Sequence, residues 1–75
     1  MATIRDTKAA SASVLRAERA RRGWTQEQAA KASGVAVGSL KAYEIGAREI
    51  GFSNACKLAD CYGVSLDTLA GRGTL

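Results

Sequence analysis

An all-α fold is predicted, and three observations predict it. The 75 residues include no proline, few β-branched runs and many Ala, Leu, Arg and Glu residues, a composition that favours helix. Thr25 and Gln28 stand three apart at the head of a short segment, the spacing of a capping box. Gly34, Gly46 and Gly63 each follow a helix-like segment, where a helix end calls for a left-handed residue. The expected architecture is a compact bundle of five helices. Residues 11–71 form the domain, 1–10 a flexible N-terminal arm and 72–75 a tail.

In chain order, Met1 to Ala10 has no clear periodicity. It reads either as a frayed end or as a basic arm lying along a polyanion. Ser11 or Ser13 can cap the first long helix, which runs to about Arg22. Val14, Leu15, Ala17 and Ala20 give it a thin apolar face, while Arg16, Arg21 and Arg22 read as a solvated basic face. The second helix spans Gln26 to Ser33, with Trp24 placed to lean on Ala29 in the staple position. Ala29 and Ala30 keep it slim where the third helix must cross. Gly34 makes the reversal.

The third helix runs roughly from Val37 to Glu44, with Leu40 and Tyr43 on its buried face. Its cap position holds Ala36, a poor cap. The fourth helix, about Phe52 to Tyr62, places Phe52, Ala55, Cys56, Ala59 and Tyr62 on one face with Leu58 beside it, all read as core. Ser65 caps the last helix, Val64 can staple to Leu69, and Leu66 and Leu69 close the core.

The stretches "GWTQEQAAKASGV", "SLKAYEIGAR" and "KLADCYGVSLDTL" together resemble the phage repressor and Cro type of helix-turn-helix domain, in the Xre-like group. The resemblance covers roughly Val14 to Ala70 and implies a lambda-repressor-like bundle with the helix-turn-helix at helices 2 and 3. It implies a double-stranded DNA partner and a DNA-facing set of Thr25, Gln26, Val37, Gly38, Ser39, Lys41, Ala42 and Arg48. It also implies a structural ion pair between Arg19 and Glu44, tying the first helix to the third. Family members of this size include phage repressors, accessory regulators and antitoxins, and a homodimer is usual among them.

The residues themselves give that picture mixed support. Gln26, at a helix start, can meet a phosphate together with free amides. Base reading favours Arg, Lys, Asn or Gln aimed at base edges. The third helix instead offers Val37, Gly38 and Ala42, with only Ser39 and Lys41 able to donate. Val37 can press on a thymine methyl, and Lys41 is either a DNA contact or plain surface charge. Three outcomes remain open. DNA is bound with low sequence preference, or read through arm and loops, or replaced by a protein partner docked on the same fold.

Eleven basic against seven acidic residues leave a net charge of +4, which suits a polyanion. An enzyme is not expected. The chain has no histidine, and Cys56 and Cys61 fall short of the four ligands of a zinc site. Five residues apart on one helix, the two cysteines lie roughly 7.5 Å apart along its axis and cannot bridge. Neither metal nor cofactor is expected. No apolar run nears the ~20 residues of a membrane span, and the N-terminus lacks a signal peptide's apolar centre. The expected location is the cytoplasm.

Overall fold

The computed structural model describes residues 7–71. Within them the chain forms α1 (Thr7–Arg22), α2 (Gln26–Ser33), α3 (Val37–Glu44), α4 (Phe52–Tyr62) and α5 (Leu66–Leu69), with no strand among the described residues. This is the expected all-α arrangement of five helices.

Local chemistry sets most of the boundaries. The Thr25 hydroxyl accepts from the Gln28 amide at 3.0 Å, and the Gln28 side chain accepts from the Thr25 amide at 2.8 Å. The reciprocal pair satisfies two donors that the start of α2 would otherwise leave open, worth about 1 kcal/mol. At the other end Gly34 adopts φ +81° and its amide reaches the Ala30 carbonyl at 2.9 Å. A Cβ is strained in that conformation, which is why the reversal between α2 and α3 holds a glycine. The Ser65 hydroxyl caps α5 by accepting from the Thr68 amide at 3.0 Å. Ala36 precedes α3 with no side-chain cap bond.

The core joins Leu15 of α1, Ala29 and Ala30 of α2, Leu40 and Tyr43 of α3, Leu58, Ala59 and Tyr62 of α4, and Leu69 of α5, with Val35 from the turn. Leu15, Leu40 and Leu58 are completely sealed from solvent. Trp24 lies against this core with its ring centre 6.2 Å from that of Tyr62.

Four expectations need correction. First, α1 already covers Thr7, a full turn before Ser11. Ser11 is buried within the helix rather than capping it, and Ser13 also lies inside it. Residues 7–10 therefore belong to the bundle and not to an arm; residues 1–6 and 72–75 lie outside the described residues. The cause is tertiary. Gly46 comes up against the backbone of Lys8 and Ala9, and Gly71, at φ +79°, sits so near Ala10 that a Cβ there would stand 2.5 Å from the Ala10 Cβ. Two glycines thus let the first turn of α1 dock.

Second, Phe52 is not core. It is 74% exposed, whereas Leu58 is sealed. Packing of α4 against α2 and α5 centres its inner face on Leu58, Ala59 and Tyr62, which leaves the first turn uncovered. Third, Leu66 is 41% exposed and only Leu69 closes that corner. Phe52 and Leu66 line a shallow apolar groove with Ile50, Ala55 and Leu69.

Fourth, Arg16, Arg21 and Arg22 are exposed as expected but are not free, each being bonded within the molecule. Arg22 donates to the Glu18 carboxylate at 2.9 Å and to the Tyr62 carbonyl at 2.8 Å. Its guanidinium carbon also stands 5.0 Å from the Tyr62 ring centre, a cation–π distance. Arg21 bonds the same Glu18 carboxylate. Arg16 donates to the Glu44 carbonyl.

Two predictions follow from this packing. The Tyr62 hydroxyl is buried with no hydrogen-bond partner among the described residues, and burial pushes its phenol pKa up to about 12. An unpaired buried hydroxyl costs roughly 1–3 kcal/mol. Chemical denaturation should show Tyr62→Phe at least as stable as the parent, while Leu40→Ala loses about 2–5 kcal/mol.

The second concerns acid. The hydrogen bond from Arg21, aided by Arg22, holds the Glu18 carboxyl below the usual glutamate pKa, against the opposing effect of burial. A depressed folded pKa gives stability that is present above the unfolded-state value and disappears as pH falls through the folded one. Melting temperatures from pH 7 to pH 3 should drop more for the parent than for Glu18→Gln; parallel curves would show that Glu18 has no part in acid sensitivity.

Candidate nucleic-acid interface

The interface is organised by Glu44, the last residue of α3. Its side chain is 98% buried and accepts from three donors. Arg19 of α1 gives Nε at 2.8 Å and Nη2 at 3.0 Å. Gln26 of α2 gives Nε2 at 3.0 Å. A third Arg19 nitrogen, Nη1, donates to the Trp24 carbonyl at 2.9 Å. The two-pronged guanidinium–carboxylate geometry is the strong form of such a bond. It holds the Arg19 guanidinium pKa above its usual value, mainly through the hydrogen bonds to Glu44. Helices α1, α2 and α3 are thereby locked in one register.

This lock decides which side of α3 faces outward. Leu40, Tyr43 and Glu44 are buried. At about 100° per residue, Gly38, Lys41, Ala42 and Ile45 lie on the opposite side. Gly38, Lys41 and Ile45 are exposed and Ala42 is half-buried. Val37 and Ser39 flank this stripe, both half-buried, and Val37 also packs on the core.

Thr25 is exposed, with its hydroxyl engaged in the α2 cap. Gln26 is half-buried, and one N–H of its side chain turns inward to Glu44. That leaves the other N–H and the helix-start amide to meet an anion. Arg48 is exposed in the loop before α4, its guanidinium carbon 5.7 Å from the Tyr43 ring centre.

Two participants were not foreseen. Asn54, in the first turn of α4, donates from Nδ2 to the Tyr43 hydroxyl at 2.8 Å. It completes an Arg48–Tyr43–Asn54 group that fixes the loop against α3. The other is the α1 N-terminal turn, whose backbone lies beside Gly46, just past the end of α3. Neither is signalled by spacing, because each joins residues brought together only by folding.

Among the described residues no cluster of His, Cys, Asp or Glu is placed to hold a metal ion, and no helix is long and apolar enough to cross a membrane. Cys56 and Cys61 are both free thiols, and burial pushes the Cys61 thiol pKa up.

A family model described as Helix-turn-helix matches residues 15–69. No significant match was found among curated proteins or among solved structures.

The lock itself is testable. Losing one partner of a buried pair strands the other, and the cost is then about 3–5 kcal/mol. Glu44→Ala should be destabilised by that order. The double variant Arg19→Ala/Glu44→Ala should lose less than the sum of the two single losses. Additive losses in urea unfolding would show that the two residues are not energetically coupled.

Proposed function

The chain belongs to the helix-turn-helix family of the Xre, lambda-repressor-like kind, and from that premise we propose that it regulates transcription by placing α3 in the major groove of double-stranded DNA. One observation supports this most directly. A buried bracket of Arg19, Gln26 and Glu44 grips one side of α3 while the opposite side stands clear of the bundle. A rod held so firmly from behind is suited to entering a groove without reshaping. The proposed working form is a homodimer on a two-fold site, with half-sites about 34 Å apart. It acts in the cytoplasm and without a cofactor.

In this reading the contacts divide by chemistry. Gln26 and the first-turn amides of α2 meet one phosphate, and Thr25 shapes that turn. Lys41 and Arg48, both exposed, meet the backbone on either side. The first turn of α3 has no side-chain cap, so an approaching phosphate or base edge has no internal competitor there. Val37, Gly38, Ser39 and Ala42 face the bases.

A second reading is favoured by the exposed apolar side chains Ile45 (75%) and Phe52 (74%). In it the same fold docks another protein, as an antitoxin-like partner, and binds DNA weakly or not at all.

Retention of random duplex DNA across a salt series separates the two. The regulator should lose affinity steeply, with a log–log slope of about −0.9 for each phosphate contacted. Lys41→Ala and Arg48→Ala should each weaken binding on every sequence and flatten the slope by roughly 1. No retention even at low salt would overturn the DNA reading in favour of protein docking.

A further inference from the structure

The loop before α4 and the first turns of α4 and α5 line a groove that the bundle leaves open. Ile50, Phe52, Leu66 and Leu69 give it an apolar lining, and Glu49 and Asp67 give it charge. Its cavity is about 350 Å³, within the ~300–1,000 Å³ of ligand pockets. Phe52 is 74% exposed and Leu66 41%. The chain's other aromatic rings, Trp24, Tyr43 and Tyr62, pack in or against the core. Folding thus leaves one large ring in water on the wall of a recess, in the manner of the aromatic anchors on which interfaces depend.

Charge decides what fits there. The chain has 11 basic residues against 7 acidic ones, and the buried carboxylates Glu18 and Glu44 are both met by arginine. Glu49 and Asp67 are exposed, and neither side chain is ion-paired or hydrogen-bonded among the described residues. No Lys or Arg lines the groove. The recess is therefore apolar and locally negative on a molecule of net charge +4. A polyanion is repelled from it. A second copy paired groove to groove sets Glu49 and Asp67 against the same two acids, with no cation in either lining, and like charges facing across an interface cost affinity. A segment carrying apolar side chains flanked by Lys or Arg is favoured on both counts.

We propose that this groove docks a basic amphipathic segment of another protein, its apolar side chains on Phe52, Ile50, Leu66 and Leu69 and its cationic heads beside Glu49 and Asp67. An amphipathic helix laid in an apolar groove is a recurring mode of peptide recognition. The lining includes no residue of α2 or α3. The segment therefore docks alongside whatever α3 meets, and not in its place. In this the site differs from protein docking as a substitute for DNA binding, and it does not rest on α3 entering a groove.

The test titrates the full chain, without DNA, against two fluorescent capped helical peptides, one of leucine and lysine and one with glutamate in place of lysine. The lysine peptide should bind, more weakly as salt rises, and the glutamate peptide should not. Phe52→Ala changes an exposed residue and should melt close to the parent, yet weaken lysine-peptide binding roughly 30-fold, the scale of an interface anchor. Glu49→Lys/Asp67→Asn should invert the preference towards the glutamate peptide. Lysine-peptide affinity unchanged in both variants would overturn the proposal, because the peptide then lies elsewhere on the surface. Absence of binding by either peptide at low salt would overturn it too, and would leave the DNA reading untouched. Sedimentation without peptide addresses a second copy. A parent dimer that falls apart in Phe52→Ala would overturn the proposal in favour of self-pairing, and the same oligomeric state in both would support it.

Discussion

The three-helix junction at Glu44 is the constraint on which the rest of the molecule depends. A carboxylate withdrawn from water is unfavourable unless several donors surround it. Here Arg19 contributes two nitrogens and Gln26 one, each within 3.0 Å. Arg16 adds a bond to the carbonyl of the same residue. Such an arrangement tolerates little sliding of α3 past α1 and α2, because any shift strands a buried charge. Its contribution is therefore better understood as register than as net stability. The apolar core supplies cohesion but would accept small rotations of α3 about its axis; the Glu44 junction does not.

A second junction repeats the logic in the same C-terminal part of α1, one residue from Arg19. Glu18 is buried and engaged by Arg21 and Arg22, and Arg22 extends from it to the Tyr62 carbonyl and ring. Thus α1 is bonded to α3 at one point and to α4 at another. Much of the basic charge of α1 is bonded to acceptors of the molecule, although Arg16, Arg21 and Arg22 stay exposed. Lys41 and Arg48 on the α3 side are exposed, as are Lys31 of α2 and Lys57 of α4.

The outward side of α3 is the complement of that scaffold. With its inner side locked, the side chains it shows are decided by position alone: Gly38, Lys41, Ala42 and Ile45. They are small or apolar apart from one ammonium. Such a rod offers few donors for paired hydrogen bonds to base edges. The Arg48–Tyr43–Asn54 group extends the rigidity into the loop before α4, where a proline is missing and stiffness must come from side chains.

Sequence alone determined the features that depend on near neighbours in the chain. The Thr25–Gln28 cap, the Gly34 reversal, the Ser65 cap and the spans of α2, α3 and α4 are set by interactions within about one turn, so spacing reveals them. The Arg19–Glu44 pairing came instead from resemblance to a family, since its partners are far apart in sequence. Only the tertiary structure decided the rest. The inclusion of residues 7–10 in α1 goes with their close approach to Gly46 and Gly71. The exposure of Phe52 and Leu66 depends on how the first turns of α4 and α5 meet the rest of the bundle. The inward turn of Gln26 and the engagement of Arg16 and Arg22 depend on acceptors supplied by distant segments. Helical periodicity shows which residues share a side of a helix. Whether that side is covered depends on the shape of the neighbouring element, and one strand of text does not contain that shape until the chain has folded.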